Sequence, residues 1–272
     1  MSFRFKRFFV EDNRCAMKVG TDGVLLGCWA PTSHLRLDDL RFTILDIGTG
    51  SGLIALMLAQ RCPEARIDAI DIDAAAVEQA RENVEAYPHP LPKGRGELHA
   101  YVSRLQDWKP ETKYDLVVSN PPYFQNSLKN PDKGRQTARH TDTLSYEELI
   151  KHSVRLLAPN GQLALILPAE AETEVRGLAA AEMLTLTHVT RVFSKANKPA
   201  RRVMLCFAKL EIGDCKLEIG DCKLENGKWK MDNGKLEIGD CKLEIEEDAL
   251  ILEDEKGGRS AAYQELTKDF YL

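Results

Sequence analysis

Short apolar runs alternate along the chain with segments that have helical periodicity. Residues 46–52 and 120–123 interrupt this alternation with glycine-rich and proline-rich turns. The predicted strands are 43–47, 67–72, 98–102, 114–119 and 162–167, and the predicted helices are 53–59, 74–86, 146–157 and 172–183. Residues 184–193 and 202–208 are β-rich and predict an antiparallel pair. The pattern predicts an α/β fold with a doubly wound, mainly parallel seven-stranded sheet and an antiparallel C-terminal hairpin.

A near-verbatim repeat interrupts the pattern after the predicted hairpin. Lys-Leu-Glu-Ile-Gly-Asp-Cys occurs at 209–215, 216–222 and 235–241. Its alternating residues are compatible with short hairpins, and a flexible low-complexity insertion is the other interpretation. We therefore predict four segments. They are a basic N-terminal segment (1–42), an α/β core (43–208), the repetitive insertion (209–248) and a C-terminal strand and tail (249–272).

The charge of the chain is concentrated in the repeat. Residues 209–248 hold seven lysines and twelve acidic residues, which accounts for the whole net charge of −5. The rest of the chain is balanced, so any affinity for nucleic acid must come from local patches. Apolar runs never approach the length of a membrane span, and the basic start lacks a signal peptide's apolar stretch. We expect a cytoplasmic protein.

The cysteines and histidines do not predict a metal centre. Four of the seven cysteines are scattered, three belong to the repeat, and no Cys-x-x-Cys pair occurs. The six histidines do not cluster along the sequence. Free thiols in a reducing compartment are the expected state.

A glycine loop lies between the first predicted strand of the core and the helix after it. Gly48, Gly50 and Gly52 permit a tight turn and a close approach of backbone N–H groups to a ligand. Asp46, just before the loop, would repel a pyrophosphate but suits a cationic or amine-bearing ligand. Asp71 ends the second strand, where a carboxylate can hold the two hydroxyls of a ribose. Together these residues predict a nucleoside-type cofactor.

A second turn, Asn120-Pro121-Pro122-Tyr123, follows the apolar strand 114–119. Neither proline has an N–H and each ring fixes φ, so the turn presents an amide and fixed carbonyls at one point. Such acceptors beside an aromatic ring suit a flat substrate that carries an amino group. A rigid turn at the end of a strand is the alternative interpretation.

These two motifs resemble class I S-adenosylmethionine-dependent methyltransferases over residues 14–208, of the type that methylates an amide or an exocyclic amine. The stretch 17–27 (Met-Lys-Val-Gly-Thr-Asp-Gly-Val-Leu-Leu-Gly), the run 135–140 and the ending 266–272 are similar to the bacterial tRNA(Val) adenine-37 N6-methyltransferase family. The repeat at 209–248 departs from that family, in which a short linker stands at this place.

The resemblance implies a cofactor, a substrate and a set of roles. S-adenosylmethionine is the implied methyl donor, and segment 17–27 is expected to cover its methionine end. The implied cofactor-binding residues are Lys18, Thr21, Asp46, Gly48, Gly50, Gly52, Asp71, Asp107 and Asn120. The implied catalytic residues are Asn120, Pro121, Pro122 and Tyr123. Asn120 and the Pro121 carbonyl would accept hydrogen bonds from the target amine, and Tyr123 would stack on its ring.

Three basic segments with aromatic residues, 3–9, 129–140 and 195–202, favour an RNA partner. The candidate RNA contacts are Arg4, Lys6, Arg7, Phe124, Arg135, Arg139, His140, Lys198, Arg201 and Arg202. His140 is also a candidate helix cap, and a catalytic role in proton transfer is a further alternative. We expect tRNA as partner, no membrane, no metal and a monomer.

Other functions share some of these motifs. Glutamine N5-methylation of a translation release factor uses the same Asn-Pro-Pro-Tyr, but those enzymes carry a helical domain before the glycine loop, and Asp46 comes too early for one. DNA adenine methylation needs a target-recognition domain, and no segment of the sequence offers one unless the repeat serves. A catalytically inactive RNA-binding module is the non-enzymatic alternative, and the intact Asp46, Asp71 and Asn120 argue against it.

Overall fold

The computed structural model describes residues 2–32, 41–87, 96–122, 144–209, 235–238 and 241–271. The strands are β1 (Ser2–Arg4), β2 (Phe9–Glu11), β3 (Thr43–Ile47), β4 (Arg66–Asp71), β5 (Glu97–Val102), β6 (Tyr114–Ser119), β7 (Leu157–Pro168), β8 (Thr185–Phe193), β9 (Ala200–Ala208), β10 (Lys235–Ile238), β11 (Cys241–Glu244) and β12 (Glu246–Ile251). The helices are α1 (Thr21–Trp29), α2 (Leu53–Arg61), α3 (Ala74–Glu85), α4 (Tyr146–Leu156), α5 (Glu172–Ala181) and α6 (Ala261–Thr267). A 3-10 turn, Ala169–Ala171, precedes α5.

The central sheet has the strand order β12-β8-β9-β7-β6-β3-β4-β5. Strand β9 is antiparallel to both β7 and β8, and the other neighbouring pairs of this sheet are parallel. The predicted doubly wound sheet with its antiparallel hairpin is therefore confirmed. The β1–β2 and β10–β11 pairs form two separate antiparallel ribbons.

The sheet has eight strands and not the predicted seven, because β12 pairs in parallel with β8 at its edge. β12 begins at Glu246, three residues before the predicted start, so the predicted boundary between insertion and C-terminal strand falls inside it. Its first residues are acidic and exposed, and backbone pairing with β8 places them in the sheet despite their low β-propensity.

Helices cover both faces of the sheet. Alternate residues of β3 and β6 enter two apolar clusters, as the period of a strand requires. Ile44 packs in the cluster that includes residues of α1, α2, α3 and α6, and Leu45 packs in the one that includes residues of α4 and α5. Asp73 caps α3 by accepting from Ala75 N at 2.9 Å, as predicted.

The N-terminal segment is part of the core. Phe5 and Phe8 are buried and stack with ring centroids 4.8 Å apart. Lys6 N donates to Phe270 O at 2.8 Å, which joins the two ends of the chain. Phe5 and Phe8 of the basic segment 3–9 are therefore core residues and are not exposed to a partner.

Within the described chain, none of the helices combines the length and apolarity needed to span a membrane.

Candidate active site

The two sequence motifs meet at the carboxyl ends of two neighbouring parallel strands. Ile47 of β3 is in register with Ser119 of β6, and Ser119 Oγ donates to Ile47 O at 2.8 Å. Gly48 follows the first of these residues and Asn120 follows the second. Strand order reverses between β3 and β6, and ligands of open α/β sheets bind in the crevice at such a point.

The glycine loop adopts backbone conformations that other residues rarely adopt. Gly48, Gly50 and Gly52 have φ of +70°, +55° and +81°. A Cβ at Gly48 or Gly50 would meet nothing within 4 Å, so open space lies beside the loop. At Gly52 a Cβ would lie 3.3 Å from the Cβ of Ala80, so this glycine also allows close packing of α3.

Asp46 is fully buried beneath the loop. Its Oδ2 accepts from Thr49 Oγ1 at 2.6 Å, whereas its Oδ1 has no hydrogen-bond partner among the described residues. Burial raises the pKa of Asp46 to about 7, and the hydrogen bond from Thr49 offsets only part of this effect. A buried carboxylate with one unsatisfied oxygen fits a cationic ligand, which would stabilise the ionised form.

Asp71 lies opposite the loop at the end of β4. Its Oδ2 accepts from Gly50 N at 2.9 Å and its Oδ1 accepts from Asp73 N at 3.0 Å. These two bonds fix the carboxylate, and each of its oxygens has a second lone pair that suits a hydroxyl group. The position fits the ribose role implied by the resemblance.

A shallow cavity of about 330 Å³ lies beyond Asp71, at the ends of β4 and β5. Its lining residues are Ile72, Val102, Ser103, Arg104 and Asp107. Ile72 and Val102 are 53% and 51% exposed, which is unusual for large apolar side chains at strand ends. Apolar walls with Asp107 at the rim suit a flat heterocycle with an amino group. The sequence indicated Asp107 but missed both apolar walls, although each is the last apolar residue of a predicted strand.

The N-terminal segment reaches the same edge of the sheet. Asn83 of α3 is buried, donates from Nδ2 to Glu11 O and Ser51 O at 2.8 Å each, and accepts from Glu11 N at 3.0 Å. The sequence did not indicate Asn83, because a single Asn inside a helical pattern carries no local signal. One side chain therefore joins β2 to the glycine loop.

Lys18 and Thr21 lie in this segment. Lys18 Nζ donates to Asp12 O at 2.7 Å and to Asn13 O at 3.3 Å, so it stabilises the backbone of the N-terminal segment. Thr21 is the first residue of α1. Their expected contact with the cofactor stays a prediction.

Asn120 faces the N-terminal segment, and its Nδ2 lies 3.7 Å from Met17 Sδ. Pro121 is buried and Pro122 is exposed. Five further predicted residues, Tyr123, Phe124, Arg135, Arg139 and His140, lie outside the described residues.

The predicted basic contacts divide into two groups. Lys198 lies in the β8–β9 turn and Arg201 beside it, and both are exposed. This turn is on the sheet edge that carries Asn120, because the neighbouring Arg202 pairs with Pro168 at the carboxyl end of β7, which is parallel to β6. Arg202 Nε donates to Asp22 Oδ2 at 2.8 Å and thereby ties the hairpin to α1.

Arg4, Lys6 and Arg7 form the second group, around the β1–β2 turn. Arg4 lies over the ring of Phe9 at 5.3 Å, and Lys6 Nζ donates to Lys268 O at 2.5 Å. These contacts hold Arg4 and Lys6 against the N-terminal ribbon and the C-terminal end of the described chain, and their expected contact with RNA stays a prediction.

Comparison with known proteins agrees with this geometry. The family model of the methyltransferase small domain matches residues 31–193. The chain belongs to this family. It is 46% identical over 270 residues to a protein of Phocaeicola vulgatus named tRNA1(Val) (adenine(37)-N6)-methyltransferase, covering 99% of this chain and 97% of that protein. A Flavobacterium johnsoniae protein of the same name is 38% identical over 272 residues, covering 99% of each chain.

Solved structures support the fold. A predicted O-methyltransferase from Agrobacterium tumefaciens superposes with a TM-score of 0.58 at 17% identity, covering 91% of this chain and 96% of that chain. At this identity the similarity concerns the fold alone. The protein is a methyltransferase with the class I architecture, and the repeat at 209–248 leaves that core complete.

One group of potential metal ligands occurs among the described residues, on the β8–β12 edge. His188 Nε2 lies 3.4 Å from Asp248 Oδ2, and His188 Nδ1 lies 4.0 Å from Glu246 Oε2. The two carboxylates lie at opposite nitrogens of one imidazole, so the three side chains form contacts between β8 and β12.

Proposed function

We propose that the protein transfers a methyl group from S-adenosylmethionine to N6 of adenine-37 in tRNA(Val). The observation that carries the proposal is the position of Asn120, directly beside the glycine loop on the neighbouring strand end. The names of full-length relatives at 46% and 38% identity support this substrate. We further propose that the protein acts in the cytoplasm as a monomer.

The residues of the crevice fit the cofactor part by part. Asp46 is suited to the positive charge at its methionine end, the glycine N–H groups to its middle, and Asp71 to its ribose. Ile72 and Val102 form apolar walls for its adenine, with Asp107 at the rim. When bound, S-adenosylmethionine supplies an electrophilic methyl group on a sulfonium.

Asn120 and Pro121 supply the chemistry on the substrate side. The lone pair of an exocyclic amine is delocalised into the ring, so the amine is a poor nucleophile. Oδ1 of Asn120 and the carbonyl of Pro121 accept the two N–H groups and hold the amine with its lone pair toward the methyl group. As the new N–C bond forms and the S–C bond breaks, the amine becomes acidic and releases one proton to solvent, so no strong base is required.

The target adenine must flip out of the base stack of the anticodon loop to reach Asn120, since the amine of a stacked base is inaccessible. Tyr123 is proposed to stack on it. Lys198 and Arg201 occupy the same sheet edge and are proposed to contact the phosphates.

The test is methylation in vitro of tRNA from a strain that lacks this modification, followed by mass spectrometry of N6-methyladenosine. We expect Asn120→Ala to retain cofactor binding by calorimetry and to lose about 10²- to 10³-fold in kcat, the usual cost of removing a positioned polar group. Wild-type activity in this variant would contradict the assigned role. Transfer to release-factor peptide instead of tRNA would contradict the proposed substrate.

A further inference from the structure

Asn83 belongs to the face of α3 that packs on the glycine loop. Ala80 lies on the same face, one turn earlier, and its Cβ is the atom that a Cβ built at Gly52 would meet at 3.3 Å. Asn83 itself is buried, with 4% of its surface exposed. A buried amide costs stability unless it finds hydrogen-bond partners inside the protein, so its partners indicate what the residue does.

The amide of Asn83 connects two segments that are distant in sequence. Its Oδ1 accepts from Glu11 N at 3.0 Å, and its Nδ2 donates to Glu11 O at 2.8 Å. The same Nδ2 donates to Ser51 O, also at 2.8 Å. Both donors of the side chain are thus used, one toward each segment. A half-turn of the amide would oppose its oxygen to two carbonyl oxygens, so these contacts allow one orientation.

The bond to Ser51 restricts a loop that has unusual conformational freedom. Ser51 lies between Gly50 and Gly52, whose φ values are +55° and +81°, and glycine restricts a backbone less than any other residue. The peptide group between Ser51 and Gly52 is held on both sides, because Ser51 O accepts from Asn83 and Gly52 N donates to Thr49 O at 2.9 Å. Rotation of this peptide group would break both bonds. Asn83 therefore stabilises the loop conformation that the structure shows.

The bonds to Glu11 hold the start of the segment that leads from β2 to α1. Glu11 is the last residue of β2. A second anchor of this segment is the ion pair of Arg14 with Glu82, the residue next to Asn83, at 2.7 Å. The two side chains of this pair are 43% and 45% exposed, so water screens it, whereas the Asn83 bonds are buried. The buried amide is therefore the stronger of the two anchors.

We propose that Asn83 is a positioning residue for the cofactor, which fixes the glycine loop and the N-terminal segment relative to each other before S-adenosylmethionine binds. The inference rests on the proposed function, which assigns the cofactor to the crevice beside this loop. Asn83 acts through the backbone of Ser51 and Glu11. Two elements that are already ordered lose little conformational freedom on binding, and this strengthens the affinity.

The experiment compares three variants of the full chain. Asn83→Leu keeps a side chain of similar shape and removes the hydrogen bonds to both segments. Glu82→Gln removes the charge from the exposed anchor beside Arg14. Tyr114→Phe removes a buried hydrogen bond at the start of β6, the end of this strand opposite to Asn120. Calorimetry gives the dissociation constant of S-adenosylmethionine, and steady-state kinetics give kcat and the KM values for cofactor and tRNA.

We expect Asn83→Leu to raise the dissociation constant and the KM of the cofactor about tenfold, the scale of one to two hydrogen bonds. The kcat at saturating cofactor and the KM for tRNA should stay within about twofold of wild type. In both control variants the cofactor affinity should stay within about twofold of wild type. Wild-type affinity in Asn83→Leu would overturn the inference. An equal loss of affinity in Glu82→Gln or Tyr114→Phe would also overturn it, since the connection to the loop would then not be the cause.

A second readout is independent of activity. Deuterium exchange of the cofactor-free protein, read by mass spectrometry, is expected to become faster at 11–19 and at 48–52 together in Asn83→Leu, and at neither in Tyr114→Phe. Faster exchange at one of the two segments alone would overturn the connection. Should Asn83→Leu not fold, wild type still decides: S-adenosylmethionine is expected to slow the exchange of Glu11 N–H, which donates to Asn83, and an unchanged rate would overturn the inference.

The inference and the proposed function fail in different ways. If Asn83→Leu methylates tRNA with wild-type cofactor affinity, the inference is overturned and the proposed function stands. If wild type binds S-adenosylmethionine but leaves tRNA unmethylated, and Asn83→Leu loses affinity, the proposed substrate is overturned and the inference is supported.

Discussion

Replacing Asp46 by Asn is expected to stabilise the cofactor-free protein above neutral pH while weakening its cofactor site. Asp46 is fully buried, and its pKa is raised from 3.8 to about 7 by that burial. The difference is about three pH units, and each unit corresponds to about 1.4 kcal/mol, so the ionised carboxylate costs about 4 kcal/mol of stability. An Asn still accepts from Thr49 but buries an NH₂ group, at a cost of about 1–3 kcal/mol.

The sign of the pH dependence follows from the direction of the shift. As pH rises from about 4, the unfolded chain loses the Asp46 proton while the folded protein retains it, so this residue progressively lowers the free energy of unfolding. The loss ends near pH 7, where the folded protein also ionises. Between pH 5 and pH 8 the contribution amounts to about 3 kcal/mol. Asn does not ionise, so the cost of burying its amide is the same at pH 5 and pH 8.

Urea unfolding of the cofactor-free protein, followed by tryptophan fluorescence at pH 5 and pH 8, measures this contribution. Asp46→Asn is expected to equal wild type within about 1 kcal/mol at pH 5 and to exceed it by about 1–3 kcal/mol at pH 8. Asp269→Asn is the control, because it makes the same substitution at an exposed aspartate outside the crevice. The reasoning is refuted if the stability difference between Asp46→Asn and wild type is the same at both pH values.

The same variant tests the proposed role of Asp46 in the cofactor site. An uncharged amide cannot compensate the positive charge of S-adenosylmethionine, so affinity should fall although the free protein is more stable. In wild type, binding is expected to release a proton near pH 7, because the cation favours the ionised carboxylate. Calorimetry in buffers of different ionisation enthalpy detects that proton, and a wild-type affinity in Asp46→Asn would contradict this role.

Two further predictions concern stability, each measured by urea unfolding against a matched control. Gly27→Ala in α1 should lower the free energy of unfolding by about 1–3 kcal/mol, since the new Cβ would lie 2.6 Å from Met57 Sδ of α2. Its control is Gly177→Ala in α5, where a Cβ meets nothing within 4 Å; this substitution should raise the free energy of unfolding by about 0.5–1 kcal/mol. Equal effects would show that α1 and α2 can separate. Tyr114→Phe should cost about 2–3 kcal/mol, because the Tyr114 hydroxyl donates to buried Asp68 at 2.7 Å, whereas Tyr101→Phe should stay within about 0.5 kcal/mol. If Tyr114→Phe leaves the free energy of unfolding unchanged, Asp68 must accept from another donor in the variant.

The sequence by itself determined the elements of the core and the residues at its strand ends. β3 and β6 have their predicted bounds because a buried strand requires a continuous apolar run, which is a local signal. The glycine loop was predictable for a similar reason, since a left-handed backbone selects glycine in any context. Parallel strands bring their carboxyl ends to one edge, so the sequence predicted that Asp46 and Asn120 lie near each other.

Only the tertiary structure decided which distant residues contact the glycine loop and Asn120. Asn83 and Met17 lie far from Asn120 in sequence, and neither residue type predicts a role without its neighbours. Arg202 was indicated as an RNA contact, and in the folded chain it holds Asp22. Helix α1 carries glycines that lower its propensity, and it forms because packing on α2 overrides that preference. Local backbone preferences can be read along the chain, whereas these pairings depend on contacts that exist only once the sheet and its helices have assembled.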